Sequence, residues 1–128
     1  GRFGPGCGDC AEGYRQYQIG RVAVVPMETA DKLAERMLDM ILADHPYKAG
    51  DEAAVLLSGL GATPVMELYV LYNEVEKRLT EKGIGVYRAY VGNYFTSLDM
   101  AGATLSLMKT DDELKELLAM PAYSMGWK

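Results

Sequence analysis

The chain has 128 residues, of which 49% are hydrophobic and 24% charged, and its formal net charge is −5 at pH 7. This length and composition are typical of a single globular domain that buries a substantial core. The acidic balance argues against a general nucleic-acid-binding protein, and no apolar run reaches the roughly 18 residues that a membrane-spanning helix needs.

The first segment of the chain is predicted to be an irregular, glycine-rich arm over residues 1–17, followed by a single α/β domain over 18–128. The arm carries both cysteines, Cys7 and Cys10, at a spacing found in redox and metal sites. Only His45 and carboxylates could complete a four-ligand metal site, so incidental thiols are the favoured interpretation. A metal site shared between two chains is kept as an alternative.

The start of the chain also bears on its origin. No Met precedes Gly1, and the first residues lack the basic and apolar segments of a signal peptide. We therefore expect a processed chain or a part of a longer protein. Because no disulfide framework is visible, we expect it in the cytoplasm.

The remaining sequence alternates between strand and helix patterns. The predicted strands cover 18–25, 53–58, 84–91 and 103–109, and the predicted helices cover 30–43, 64–82 and a stretch between Thr110 and Pro121. The continuous apolar run over 53–58 indicates a strand buried on both faces. This order predicts an α/β layered sandwich, with a largely parallel or mixed sheet covered by helices.

Helix boundaries and inner faces can also be predicted. Thr29 and Thr63 are predicted N-caps, Pro64 fits a first helical position, and Thr110 with Glu113 matches a capping box. The apolar residues predicted to face the core are Leu33, Met37, Leu38 and Ile41 in the first helix, Val65, Leu68, Tyr72, Val75 and Leu79 in the second, and Leu114, Leu117 and Leu118 in the last.

Two loops follow the ends of predicted strands, where open α/β sheets bind ligands. The first is SGLGATP over 58–64, for which a capped turn is favoured over an anion cradle. The second is GNYFTSLDMAG over 92–102, whose polar residues are Asn93, Tyr94, Thr96, Ser97 and Asp99. Asp99 could act as a base or close an Asx turn, and the turn is favoured. No histidine lies nearby in sequence, so a hydrolytic triad has little support.

Two long stretches of the chain resemble the dihydroxyacetone kinase family. SGLGATPVMELYVLYNEVEKRL over 58–79 is similar to the family segment N-x-L-G-A/G-T-P-x-x-E-L-Y. VGNYFTSLDMAGATLSLMKTDDELKELL over 91–118 is similar to G-x-Y-x-T-S-L-D-M-x-G-x-S-x-T-L followed by an acidic helix start. The resemblance extends over 22–128 and identifies the chain with the C-terminal α/β half of the dihydroxyacetone-binding subunit.

The resemblance implies a homodimer that holds dihydroxyacetone covalently, as a hemiaminal on a histidine in a G-I-H-G-E-P-G motif. It also implies that phosphate comes from ATP in some members and, in others, from ADP on a partner subunit that a phosphotransferase relay recharges. The nucleotide is bound by a separate domain or chain. This chain itself is then expected to bind no cofactor.

The chain departs from the family where that histidine belongs. The sequence before Met27 has no G-I-H-G-E-P-G motif, and the only histidine, His45, lies in a linker where we expect it to be exposed and idle. No catalytic residue is therefore carried over, and we expect the isolated chain to be inactive as a kinase. The alternative is a non-catalytic ligand-sensing or partner-binding relative that has lost the histidine. Residues implied at the rim of the substrate pocket are Gly59, Gly61, Thr63, Thr96, Ser97 and Asp99.

Overall fold

A computed structural model describes residues 29–98 and 101–126 of the chain. Its elements in chain order are α1 Ala30–Asp44, β1 Glu52–Gly61, α2 Val65–Glu81, β2 Gly85–Gly92, β3 Ala101–Lys109 and α3 Asp112–Ala119. The strand predicted over 18–25, and the arm with Cys7 and Cys10, lie outside the described residues. Among the helices of the described part, none has the length and apolarity that crossing a membrane requires.

The sheet has β1 at its centre, in the order β2-β1-β3. β1 is parallel to β2, with Ser58 opposite Gly92, and antiparallel to β3, with Gly61 opposite Ala101. The sheet is therefore mixed and layered with helices, which confirms the predicted α/β class. Because β1 and β2 are parallel, the loops that leave them emerge at the same edge of the sheet.

The core lies between one face of the sheet and the helices α1 and α2. Ala53, Val55 and Leu57 have no exposed surface and share that face, because side chains alternate along a strand. Ala54 and Ser58 on the opposite face are also buried, so the predicted burial of β1 on both faces is confirmed. The buried residues of the two helices are Ala34, Leu38 and Ile41 from α1, and Leu68, Leu71, Val75 and Leu79 from α2.

The predicted inner faces of the helices are correct in part. In α2 the prediction is wrong for Val65, which is 41% exposed, and it missed Leu71, which is buried. In α3 the predicted inner face is wrong for Leu117, which is 53% exposed, and the helix has no buried residue. Polar contacts attach α3 to the sheet: the Tyr87 hydroxyl donates to the Lys115 carbonyl at 3.4 Å, and the Lys115 ammonium lies 3.0 Å from the Glu52 carboxylate.

The predicted capping residue of α3 is wrong by one position. Asp111 is the N-cap, and its carboxylate accepts a hydrogen bond from the Leu114 N–H at 2.8 Å. Thr110 is buried instead, and both its N–H and its hydroxyl donate to the Glu52 carbonyl. The hydroxyl that would have capped the helix is thus used to join it to the first residue of β1.

We expect Asp111→Ala to lower the free energy of unfolding by about 1 kcal/mol, because the substitution removes the only side-chain cap of α3. Urea denaturation followed by circular dichroism measures this loss. Asp112→Ala is the matched control, since it removes the same charge one residue later and leaves the cap in place. Equal losses in the two variants would contradict the capping role.

Candidate functional site

The candidate site lies at the edge of the sheet where β1 and β2 end. It consists of the last four residues of β1, the following loop over 62–64, and residues 93–98 after β2. Hydrogen bonds join these segments, so the rim residues predicted from the two sequence blocks occupy one place in the structure. The structure brings together Gly59, Gly61, Thr63 and Thr96, with Ser97 next to Thr96 in the chain. Asp99 lies outside the described residues.

Ser58 joins β1 to the loop that follows β2. Its hydroxyl oxygen accepts hydrogen bonds from the backbone N–H groups of Tyr94 and Phe95, both at 3.1 Å, and its hydroxyl donates to the Phe95 carbonyl at 3.2 Å. The residue is 2% exposed. Ser58 was not among the predicted site residues. A serine inside a strand buried on both faces is nevertheless a signal, because buried hydroxyls need hydrogen-bond partners.

Thr63 joins the first loop to the start of β3. Its hydroxyl donates to the Gly102 carbonyl and accepts from the Gly102 N–H, each at 2.8 Å. α2 begins at Val65 with Pro64 as its N-cap residue and has no side-chain cap, so the predicted capping role of Thr63 is wrong. Thr29 does occupy the N-cap of α1, but its side chain makes no capping hydrogen bond.

Gly61 and Thr96 form a further link between the loops. The Gly61 N–H donates to the Thr96 hydroxyl oxygen at 3.0 Å, and Gly61 has a φ of 63°, a left-handed conformation that favours glycine. Next to Thr96, the Ser97 hydroxyl oxygen is buried and has no hydrogen-bond partner among residues 29–98 and 101–126. Ser97 therefore holds an unsatisfied polar group beside the link.

Gly59 has no space for a side chain. A Cβ placed there would overlap the carboxamide oxygen of Asn93 and would lie 3.0 Å from the Leu68 side chain. The φ of Gly59 is not positive, so this approach of Asn93, rather than an unusual backbone conformation, explains the glycine.

The two loops of the site carry neutral polar groups. Residues 58–64 and 93–98 include hydroxyls, a carboxamide and a phenol, and no charged side chain. Burial raises the pKa of the Tyr94 phenol, and the nearby Tyr69 and Tyr90 raise it further, so Tyr94 stays protonated at neutral pH. In the described part, the site is thus equipped to hydrogen bond an uncharged ligand and offers no acid or base that titrates near neutrality.

His45 lies at the other end of the sheet from the candidate site. It is exposed, as predicted, and its ring contacts that of Tyr47 edge-on, with the ring centres 5.3 Å apart. It precedes β1, and Ser58 lies about 20 Å further along that strand than Glu52. His45 is therefore remote from the two loops.

The described residues outside the two loops offer a cavity but no metal-binding cluster. No group of three His, Cys, Asp or Glu side chains there could hold a metal ion, while Cys7 and Cys10 lie outside that part of the chain. A cavity of about 370 Å³ lies beside α3 and the residues after it. It is lined by Tyr90, Leu117, Leu118, Met120, Ala122, Tyr123 and Ser124. None of these residues belongs to the two loops of the candidate site.

Comparison with known families and curated sequences gives a consistent result. The Dak1 domain model matches residues 20–126. The dihydroxyacetone-binding subunit DhaK of PTS-dependent dihydroxyacetone kinase 2 from Listeria innocua is 42% identical over 95 residues, which cover 74% of this chain and 29% of that protein. A D-erythrulose kinase from Mycolicibacterium smegmatis is 40% identical over 102 residues, covering 80% of this chain and 18% of that protein. The chain thus spans less than a third of the length of these relatives.

Comparison with solved structures finds the same fold in a protein of a different role. The dihydroxyacetone kinase operon co-activator DhaQ superposes with a TM-score of 0.71 at 31% sequence identity. The match covers 79% of this chain and 32% of that protein.

Proposed function

Because the chain belongs to the Dak1 domain family, we propose that it forms one wall of the dihydroxyacetone pocket in the substrate-binding part of a dihydroxyacetone kinase. The observation that carries the proposal is the junction of the two loops at one edge of the sheet. The two loops come from the two sequence blocks that resemble the family, and side chains of Ser58, Thr63 and Thr96 join them.

The chemistry of the junction fits this substrate. Dihydroxyacetone is uncharged and offers one carbonyl and two hydroxyl groups, so it is recognised by hydrogen bonds and not by charge. The described part of the site presents such neutral donors and acceptors. Its segments are held together by hydrogen bonds between distant parts of the chain, which reduces the ordering cost of binding.

The remaining chemistry has to come from outside the described residues. His45 is remote from the loops, so a histidine that bonds covalently to the ketone would be supplied by another part of the protein or another chain. The phosphoryl group would come from ATP, or from nucleotide on a separate nucleotide-binding domain or subunit, where a phosphotransferase relay converts bound ADP to ATP. A cytoplasmic homodimer belongs to the same proposal.

We expect residues 1–128 alone to give no turnover with ATP and dihydroxyacetone and no covalent adduct after borohydride reduction, because the described part places no histidine at the loops. The polypeptide encoded by the complete reading frame, called the full-length polypeptide below, is expected to bind dihydroxyacetone. Mass spectrometry and calorimetry measure the adduct and the affinity, with the Listeria innocua subunit as positive control. Turnover by residues 1–128 alone, or no binding by the full-length polypeptide, would contradict the proposal.

A second candidate is a non-catalytic regulator that senses dihydroxyacetone or binds a partner protein. The match to the operon co-activator DhaQ favours it, since a protein of the same fold is named for a regulatory role. The two candidates differ in one result. A regulator binds dihydroxyacetone, or a partner, yet gives no dihydroxyacetone phosphate when the full-length polypeptide is supplied with ATP or with a phosphorylated partner subunit.

A further inference from the structure

The Asn93 side chain packs against Gly59, and its position depends on the absence of a side chain at residue 59. Its carboxamide oxygen fills the space where any side chain at residue 59 would begin. Glycine in the interior of a strand costs stability, because it loses more backbone entropy and packs no side chain. The close approach of the Asn93 side chain therefore explains why residue 59 of β1 is a glycine.

The backbone on both sides of Asn93 is fixed. Gly92 pairs with Ser58 in the sheet, and the N–H of Tyr94 donates to the Ser58 hydroxyl at 3.1 Å. Gly92 in turn lies under the Tyr94 ring, which would be 3.4 Å from a Cβ at residue 92. Asn93 is thus presented from a rigid segment, and such preorganisation is what a specific contact requires.

The Asn93 carboxamide is nevertheless available to a ligand. The residue is exposed, and its side chain makes no hydrogen bond to any residue within 29–98 or 101–126. An amide group carries two N–H donors and an acceptor oxygen, which together match a hydroxyl group. With the oxygen against Gly59, the NH2 group is the free donor.

We propose that Asn93 is a specificity-determining residue of the pocket, and that its carboxamide hydrogen bonds a hydroxyl of a short polyhydroxy ketone. This inference rests on the proposed function. It also defines a substrate class, because the hydroxymethyl ketone group is common to dihydroxyacetone and to erythrulose, the substrates for which the relatives reported above are named. A site that recognises this shared group by hydrogen bonding accepts both the three-carbon and the four-carbon ketone.

The test compares affinities for dihydroxyacetone and for acetone, which has the ketone and neither hydroxyl, by calorimetry on the full-length polypeptide. We expect Asn93→Ala to weaken dihydroxyacetone binding by about 5- to 10-fold, the effect of one lost neutral hydrogen bond. The preference for dihydroxyacetone over acetone falls by the same factor. Asn73→Ala is the matched control, because Asn73 is exposed on α2 outside the two loops, and it leaves both affinities unchanged.

Two more variants separate recognition from packing. Asn93→Asp keeps the shape of the side chain and removes its donors, so it loses the preference as Asn93→Ala does. Gly59→Ala displaces the Asn93 side chain, so it causes the same loss, and the double variant Gly59→Ala with Asn93→Ala loses no more than either single variant.

The outcomes distinguish this inference from the function on which it rests. A wild-type protein that binds dihydroxyacetone, together with an Asn93→Ala variant that keeps the wild-type preference, overturns the role of Asn93 and leaves the proposed function standing. Equal losses for both ketones overturn it as well, since they indicate a structural role. A wild-type protein that binds neither ketone overturns both.

Discussion

Ser58→Ala is expected to lower the free energy of unfolding by about 2–4 kcal/mol and to abolish measurable dihydroxyacetone binding. The substitution leaves the N–H groups of Tyr94 and Phe95 without the acceptor that holds both at 3.1 Å. Each of these part-buried donors costs about 1–2 kcal/mol when it is left without an acceptor, so this one side chain has an effect comparable to a large core truncation. Urea denaturation measures the stability, and calorimetry on the full-length polypeptide measures the binding.

The control for Ser58 is Ser106→Ala. Ser106 lies half-buried on β3, opposite Leu56, and makes no side-chain hydrogen bond within the described part. Loss of the Ser106 hydroxyl is expected to change the free energy of unfolding by less than about 0.5 kcal/mol. If Ser58→Ala lowered the free energy of unfolding no more than Ser106→Ala does, the proposed role of the Ser58 hydroxyl in holding the second loop would be wrong.

Thr63→Val is expected to cost about 1–3 kcal/mol in stability and to weaken dihydroxyacetone binding at least 10-fold. Valine matches the shape of threonine, so the substitution removes the hydroxyl that both donates to and accepts from Gly102 at 2.8 Å, and little else. The loop over 62–64 then loses its link to the start of β3, while the pairing of β1 with β3 remains. The same two measurements apply as for Ser58.

The control for Thr63 is Thr80→Val. The Thr80 hydroxyl also donates to a carbonyl, that of Glu76 at 2.9 Å, but this bond lies on the exposed side of α2 and joins no separate segments. We expect a change of less than about 0.5 kcal/mol and unaltered binding. Similar effects of Thr63→Val and Thr80→Val would show that the loop junction contributes nothing to the pocket.

These predictions concern the same physical feature. In this chain the two loops of the site are positioned by side-chain hydroxyls that hydrogen bond to backbone groups. The two partners of each bond lie 35 to 39 residues apart in the sequence. Such bonds fix a segment without adding charge. That property suits a pocket for a neutral ligand, and it makes the pocket sensitive to the loss of a single oxygen atom.

Much of the fold could be predicted from the sequence, because local patterns set it. The apolar run over 53–58 identified the central strand, and the spacing of Leu68, Val75 and Leu79 identified the buried face of α2. The structure extends that strand to Glu52–Gly61, since pairing with β3 continues as far as Gly61 opposite Ala101. Strand ends depend on the neighbouring strand, which a local pattern does not contain.

Residues with more than one possible partner were harder to predict. Thr63 and Thr110 both match helix caps by local pattern, and both hydroxyls instead bond the backbone of other strands. The N-cap of α3 is instead Asp111, the next residue along the chain with a suitable side chain. A hydroxyl with one hydrogen to donate takes the partner that folding places nearest, and sequence spacing alone does not show which partner that is.

The sequence by itself determined the class of fold, the order of strands and helices from Ala30 onwards, and the two blocks that form the candidate site, because these follow from periodicity and from residue types in fixed spacing. Only the tertiary structure decided that the two blocks meet, that Ser58 and Thr63 join them, and that Asn93 rests against Gly59. The physical reason is that these contacts link residues more than thirty positions apart, and the pairing of β1 with β2 and β3 brings them within hydrogen-bonding distance.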